Sequence, residues 1–377
     1  MGIATGTFQQ LLQEHRARPF RGRLLTLGKQ DIYLTPDDLD FWTRYYGVPC
    51  APSAAPEYSD KPDFAAKGRL ADRELFRRLG VASESLDASD YEGCDHVADL
   101  NSPLPPEKLR GRYDLVLDTG TFEHVFHLPN AFQFCHSLLK EGGRMIHMSP
   151  LSNYADHGFY MLSPTLFHDF YEANGWRILQ MKVIRHSKAH DTEPYWAADY
   201  SPDHFHALSF GGLDGALYQT FAVVEKLPGA TATKVPQQRA YRLTWTGATA
   251  PGIGAAESIE EKVARRVRER LPQYVNWIKT LGGASRTPSI AIYGAGGHTS
   301  TLLKVWRELA LPEPACIVQT TPPTTPTLEG LPFLAFADLP ARGTPGLIVL
   351  SSQRYEAEMA AACARAFPAV PMLRFWS

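Results

Sequence analysis

Cysteine is scarce and scattered in this chain: Cys50, Cys94, Cys135, Cys316 and Cys363 stand singly among 377 residues, with no CxxC pair. That spacing excludes a disulfide framework and a zinc knuckle and leaves the thiols as reduced core filler. Long apolar runs are missing too. No stretch reaches the roughly 18 residues needed to span a bilayer, and the first residues lack a basic start followed by an apolar core and a small-residue cleavage site. The expectation is a cytoplasmic protein with no membrane partner. An excess of charge of one sign is also absent: 38 Lys and Arg against 40 Asp and Glu give a net charge of −2. Bulk attraction to nucleic acid or to an anionic membrane is therefore not expected.

What is present suits a globular protein, 44% hydrophobic and 21% charged. At this length two cores are expected, in domains 1–228 and 286–377 joined by a linker and bridging helix, 229–285. The stretch Tyr113 to Trp176 is the most informative. Its apolar run Asp114 to Leu117 reads as a buried parallel strand and stops on Asp118-Thr119-Gly120-Thr121. Open α/β sheets keep ligands beyond the carboxyl ends of such strands, which turns Asp118, Thr121, Glu123 and His124 toward a small molecule. A helix pattern from about Leu128 to Lys140 ends on Glu141-Gly142-Gly143, a C-cap in which glycine tolerates the left-handed conformation. Arg144 to Met148 reads as the next strand, 153–163 as a loop, and Pro164 as the first turn of another helix.

A strand ending in an acid, a helix, the turn LLKEGG (138–143) and a following strand resemble the second half of a class I S-adenosylmethionine (SAM)-dependent methyltransferase. The phrases DTGTFEHVFH and HGFYMLSPTLFHDFY are similar to those of a bacterial subgroup of that family. The resemblance implies an α/β fold with a class I methyltransferase-type Rossmann-like sheet, SAM as cofactor, and a set of contacts to it. The first strand, Leu24 to Leu27, ends at Gly28-Lys29-Gln30-Asp31, where the family carries ExGxGxG. Here one glycine remains and Thr26 stands at the acidic position, so Gly28 and Asp31 are the candidates at that turn. In the second strand, Ser85 to Asp87, Asp87 is the residue expected to accept both ribose hydroxyls, since a carboxylate takes two donors side by side. Asp90 is its competitor, and capping of the next turn is the plain alternative. The third strand, His96 to Asn101, implies Asp99 at the adenine amino group and Leu100 against the ring. Asp118 and Thr119 complete the set.

Methyl transfer asks the protein to orient an acceptor and remove its proton. His124 is the leading base candidate, because imidazole titrates near neutrality, followed by Glu123, Tyr154, His157 and Tyr160. Residues 35–65 read as an insertion or lid, whose Phe41, Trp42, Tyr45 and Tyr46 either close over substrate or pack on the core. Arg177 to Val183 and Tyr218 to Val224 read as an antiparallel edge pair. Between them, His186, His190, Asp191, His204 and His206 raise a metal reading, but no second motif fixes a ligand geometry. A substrate-specificity loop with no metal is preferred.

Beyond a linker-like composition at 226–256 and a helical pattern at 258–281, the chain restarts. A strand, Ser289 to Tyr293, a turn, Gly294 to Thr299, and a helix, Ser300 to Leu309, give the context of a phosphate-binding turn. This second, smaller Rossmann-like domain makes Gly294, Gly296, Gly297, His298 and Thr299 candidates for phosphate or nucleotide. Thr299 replaces the third glycine of the dinucleotide fingerprint and Gln319 replaces the acid that grips an NAD ribose, so NAD is not expected. The leading expectation is methyl transfer to a small polar acceptor, with a sugar or nucleotide sugar as the class considered. A non-catalytic scaffold on the same fold, and a nucleotide-sugar-modifying enzyme using the second domain, are the alternatives. Oligomeric state stays open.

Overall fold

The computed structural model describes residues 2–189, 195–202, 213–246, 259–281, 289–352 and 354–376. The chain divides into two compact units, Met1–Asp191 with Tyr195–Pro251, and Thr192–Pro194 with Gly252–Ser377.

In the first unit Arg23–Leu27 forms β1, and Leu24, Leu25 and Leu27 are all buried. A run apolar on both faces belongs in the middle of a covered parallel sheet. Its partners are Ala82–Asp87 (β2), His96–Val97 (β3), Tyr113–Asp118 (β4), Leu139–Ser152 (β5), Arg177–His186 (β6), Trp196–Asp199 (β7) and Leu217–Glu225 (β8). The strands lie in the order β3-β2-β1-β4-β5-β8-β6-β7. The pairs from β3 to β5 are parallel, and β8 runs antiparallel to both β5 and β6. Parallel strands spreading both ways from β1, with the last long strand inserted backwards, make the class I methyltransferase-type Rossmann-like sheet. The expected antiparallel edge pair is β6 with β8, extended by β7.

The LLKEGG segment behaves differently from a helix cap. The helix Leu128–Leu138 ends on its first residue, and β5 begins at Leu139 with a register shift against β4 between Tyr113 and Leu115. Gly142, at φ 75°, donates to the Lys226 carbonyl, while Lys226 donates to that of Gly143. A Cβ on Gly143 would stand 2.9 Å from the Lys140 carbonyl. The paired glycines thus let the strand fold tightly against the end of β8.

Helix α1, Thr5–Ala17, carries buried polar groups with dedicated partners: Lys182 reaches Gln10 at 2.9 Å, and Glu14 pairs with Arg144. Helix α2, Pro36–Tyr46, opens on a Thr35–Asp38 capping box and closes on Gly47 at φ 63°. Trp42 and Tyr46 are buried and meet Phe41 and Tyr45 edge-to-face. These aromatics pack on one another. Helix α3, Asp72–Arg78, precedes β2.

In the second unit, β9 (Ile290–Tyr293), β10 (Cys316–Gln319), β11 (Thr327–Leu328), β12 (Leu331–Ala335), β13 (Leu347–Leu350) and β14 (Met372–Leu373) lie in the order β11-β12-β10-β9-β13-β14. Every pair except the β11-β12 hairpin is parallel, which is a small Rossmann-like sheet. The pattern read as one helix over 258–281 is broken. Ile259–Arg270 is followed by a 3₁₀ turn at Leu271–Tyr274 and a short helix, Val275–Thr280. Pro272 has no N–H to continue the ladder. No helix among the described residues is long and apolar enough to cross a membrane.

Candidate active site

The carboxyl ends of β1 to β4 share one rim, and the structure spends the residues there unevenly. The turn after β1 is closed. The Gln30 side-chain amide donates to the carbonyls of Leu27 at 3.1 Å and Gly28 at 3.0 Å; Thr119 donates to Gln30 Oε1, and Thr121 to the Leu27 carbonyl at 2.7 Å. Gly28, at φ 78°, donates its own N–H to Leu86. Gly28 therefore offers no open backbone to a cofactor, because three side chains already bridge its turn. Asp31 faces elsewhere, ion-paired with Lys61 at 2.8 Å. Lys61 also holds Glu92 and Lys29 holds Asp60, so segment 57–61 is tied down beside this turn.

Asp118 is fully buried. One carboxylate oxygen caps the 3₁₀ turn Phe122–His124, accepting from the N–H groups of Thr121 at 2.9 Å and Phe122 at 3.3 Å. The other accepts from His147 Nδ1 at 2.8 Å, and His147 Nε2 lies 2.6 Å from the Tyr171 hydroxyl. A carboxylate so enclosed touches no ligand, and its assignment to the cofactor is corrected to a structural one. Leu100, 6% exposed, packs within the core of the first unit. Asp87 and Asp99 remain on the rim. Asp87 accepts from the Ala88 N–H at 2.6 Å through one oxygen, and exposed Asp99 is oriented by Asn101. Beside them Phe126 is 60% exposed, edge-on to Phe159 at 5.7 Å, and its neighbour His127 donates to Asn101 at 2.9 Å.

Next to this rim the first unit forms a half-open cavity of about 390 Å³. Its wall combines the amino-terminal residues Gly2, Ala4, Gly6 and Thr7 with Thr119, Gly120, Glu123 and His124 from the end of β4. Tyr33, Tyr154, His157, His186, Lys188, Tyr195 and Gln219 add further polar lining. Glu123 is 1% exposed, and its Oε2 has no hydrogen-bond partner. Burial, then the nearby charge of Asp118, pushes its carboxyl up to about 8. His157 Nε2 stands 3.7 Å and His124 Nε2 3.9 Å from Glu123 Oε1, with the two imidazoles 5.2 Å apart. Burial, then His157, lowers the pKa of His124. Burial, then Glu123, raises that of Tyr154, whose hydroxyl lies 2.7 Å from His186 Nε2.

The loop behind this group is fixed by the backbone. Phe159 and Tyr160 both donate their N–H to the Glu123 carbonyl, and a Cβ on Gly158 would stand 2.9 Å from that same oxygen. Glu123, His124, His157 and Tyr154 are thus brought together. Tyr160 is not among them, since its hydroxyl is spent on the Phe126 carbonyl at 2.8 Å and it lies outside the cavity lining. His190, Asp191, His204 and His206 lie outside the described residues. Sequence reading passed over Gln30, His147, Gly2 to Thr7 and Tyr195. Only Gln30 sits in a segment matched to a motif, and the fold alone joins the others to the rim.

In the second unit, an open hollow of about 1200 Å³ is lined by Gly294, Gly296, Gly297, His298, Thr301, Ser351 and Arg354 among others. Gly294, at φ 130°, is required by the close approach of the Ser351 carbonyl. Thr299 is buried, bonded to Gly294 and Ser351, so it closes the turn and does not face the hollow. Both ring nitrogens of His298 are engaged, by Ser351 at 2.9 Å and Trp376 at 3.2 Å, and burial lowers its pKa to about 4. It therefore presents no charge to an anion. Gly296, Gly297 and Arg354 are what remains for a phosphate.

No protein-family model matches the chain, and no curated protein matches it in sequence. Among solved structures it is similar to a SAM-dependent methyltransferase from Archaeoglobus fulgidus, at 12% identity over 59% of this chain and 95% of that one, TM-score 0.33. It is also similar to the O-methyltransferase of a trans-AT PKS multienzyme from Brevibacillus brevis in complex with S-adenosyl-L-homocysteine, at 12% identity, 64% and 78% coverage and TM-score 0.33. A third similarity is to the [4+2]-cyclase SpnF, at 12% identity, 58% and 80% coverage and TM-score 0.31. Likenesses with TM-scores this low decide nothing further about function.

Proposed function

We propose that the protein is a SAM-dependent methyltransferase acting on a small polar acceptor held in the cavity at Glu123. The observation that carries this reading is a juxtaposition: two rim carboxylates suited to a nucleoside stand on the same rim as a half-open cavity whose wall holds the buried Glu123 carboxyl, one oxygen of which has no hydrogen-bond partner. Asp87 at the end of β2 and Gly120 just past β4 are two strand spacings apart, about 10 Å. The donor set fits the nucleoside half of SAM. Asp87 offers an oxygen to ribose hydroxyls, Asp99 an acceptor to an exocyclic amine, and exposed Phe126 a flat face for the adenine. The closed Gly28 turn takes no part. Gly120, at φ 100°, and Gly2 and Gly6 in the cavity wall are the residues without side chains that leave room for the methionine half.

SAM, when bound, supplies an electrophilic methyl group for in-line displacement. The chain's own task is then to orient an acceptor oxygen or nitrogen and take its proton. Glu123 Oε2 faces no other donor, and a carboxyl group held near 8 is matched to a neutral reaction, where proton transfer is most effective. His124 and His157, both partly exposed, stand within 4 Å to relay that proton outward. A cavity of about 390 Å³ is in the range of small-molecule sites and suits an acceptor of monosaccharide size.

The test is calorimetry with S-adenosylhomocysteine, then methyl transfer from labelled SAM to a panel of sugars, polyols and amines. Glu123→Gln should bind the nucleoside and fail to transfer; full transfer by this variant removes Glu123 from the chemistry. A second reading is favoured by the side chains that bridge the Gly28 turn: a protein that keeps the fold to bind a ligand without SAM. Absence of S-adenosylhomocysteine binding to the wild-type chain selects it.

A further inference from the structure

We propose that Glu123, His124 and His157 form a binding site for one divalent transition-metal ion, open toward the cavity. The ligand atoms of these three residues, one from each, all lie within 4.8 Å of one another. The separations of 3.7 and 3.9 Å from Glu123 Oε1 to the two imidazole nitrogens are too long for hydrogen bonds. They are close to what a shared ion imposes, since bonds of about 2.0–2.1 Å in a tetrahedral site set ligand atoms roughly 3.3 Å apart. Side-chain rotations that draw the two imidazole nitrogens toward Glu123 and toward each other, from within 4.8 Å, would complete the site. The imidazoles are free to make them, their side chains being 44% and 49% exposed.

Two further observations point to a ligand. The Glu123 carboxylate is 1% exposed yet leaves Oε2 without a partner, a state that normally costs a buried polar atom dearly. In addition, the loop bearing His157 is built to come this close. Residues 159 and 160 donate to the Glu123 carbonyl, and glycine at 158 is the one residue type with no Cβ to meet that oxygen.

A second trio, His168, Asp169 and Glu172, also falls within 4.8 Å, but its groups are already used. His168 bonds Asp169 at 2.9 Å, Asp169 accepts from the Arg239 N–H at 2.7 Å, and Glu172 pairs with Arg242. It serves as the internal control.

Two imidazoles and one carboxylate select zinc, cobalt, manganese or iron over magnesium and calcium, which prefer all-oxygen ligand sets. Three protein ligands leave at least one position for water or an acceptor oxygen, as in catalytic rather than structural sites. With an ion in place Glu123 holds the metal, and the metal makes the bound oxygen acidic. This inference stands on the cavity alone and does not require SAM.

The experiment is isothermal titration of Zn²⁺, and separately Mg²⁺, into tag-free, chelator-treated full-length chain without any nucleoside present. One Zn²⁺ per chain is expected, with no Mg²⁺ binding. His157→Ala and Glu123→Gln should each weaken zinc by about 100-fold or more, while His168→Ala leaves it unchanged. Substitution with Co²⁺ should give a visible spectrum that His157→Ala abolishes, and circular dichroism confirms that each variant is folded. Zinc that does not bind the wild-type chain, or binds equally to both ligand variants, overturns the site. Binding of S-adenosylhomocysteine is measured on the same samples, so either proposal can fail without the other.

Discussion

Replacing His147 by Phe should destabilise the first unit severely, because it strands a carboxylate with nowhere to go. Asp118 and His147 are both completely buried, and their contact at 2.8 Å is flanked by the Tyr171 hydroxyl on the far side of the ring. Once the imidazole is gone, Asp118 Oδ2 keeps only the Ser149 hydroxyl, at 3.4 Å. Leaving a buried carboxylate oxygen without its hydrogen-bond donor costs about 3 kcal/mol, and the orphaned Tyr171 hydroxyl adds about 1 kcal/mol. For a unit of this size that corresponds to a fall of about 10 °C or more in Tm. Urea denaturation followed by tryptophan fluorescence, with scanning calorimetry to separate the units, reads the effect. Asp118→Asn in the His147→Phe background should recover part of the loss, since a neutral amide is cheaper to bury. A change under about 0.5 kcal/mol for His147→Phe would show that the two side chains are not coupled, and would return Asp118 to the list of ligand residues.

In chelator-treated protein, stability should depend on pH through Glu123. Its folded pKa of about 8 lies above the ordinary 4.5, so between those values the folded chain keeps a proton that the unfolded chain has lost. Stability contributed by this group therefore falls as pH rises through that window, by up to about 1.4 kcal/mol per pH unit. Glu123→Gln removes the dependence, so the variant's Tm should gain on wild type from pH 5 to pH 8; parallel curves would refute the raised pKa. Gly158→Ala should lower both zinc affinity and stability, by about 1–3 kcal/mol for the latter, because its Cβ would press on the Glu123 carbonyl. An unaltered zinc titration would show that the loop does not position His157. Gly294→Ala should lower the calorimetric transition of the second unit, where its Cβ would meet the Ser351 backbone, and an unshifted transition would contradict that close approach.

The sheet was legible because its strands are uninterrupted apolar runs with punctuated ends. Leu24 to Leu27, Asp114 to Leu117 and Ser289 to Tyr293 each fall on a central strand. The cluster of Glu123, His124 and His157 was also visible, as titratable residues just beyond a strand end and in the following loop. What could not be read was the use of each polar group. Asp118 looks the same in sequence whether it meets a ligand or caps a turn, and only the fold brings His147 and Tyr171 around it. Gln30 gave no sign that it would bridge the turn of Gly28, because both of its acceptors are backbone carbonyls. The paired glycines at 142 and 143 fit a helix cap locally. Their pairing with Lys226, more than 80 residues on, makes them part of a strand instead. Long-range partners decide the cases of Asp118 and of the paired glycines, and local pattern carries no information about them.

Titration of S-adenosylhomocysteine into the wild-type chain and into Asp87→Ala is the most direct measurement of all. Loss of two hydrogen bonds from a charged acceptor is worth about tenfold or more in affinity. One binding event per chain, weakened to that extent by Asp87→Ala, is the expected result. No binding to the wild-type chain, or binding indifferent to Asp87, would contradict a SAM site on this rim.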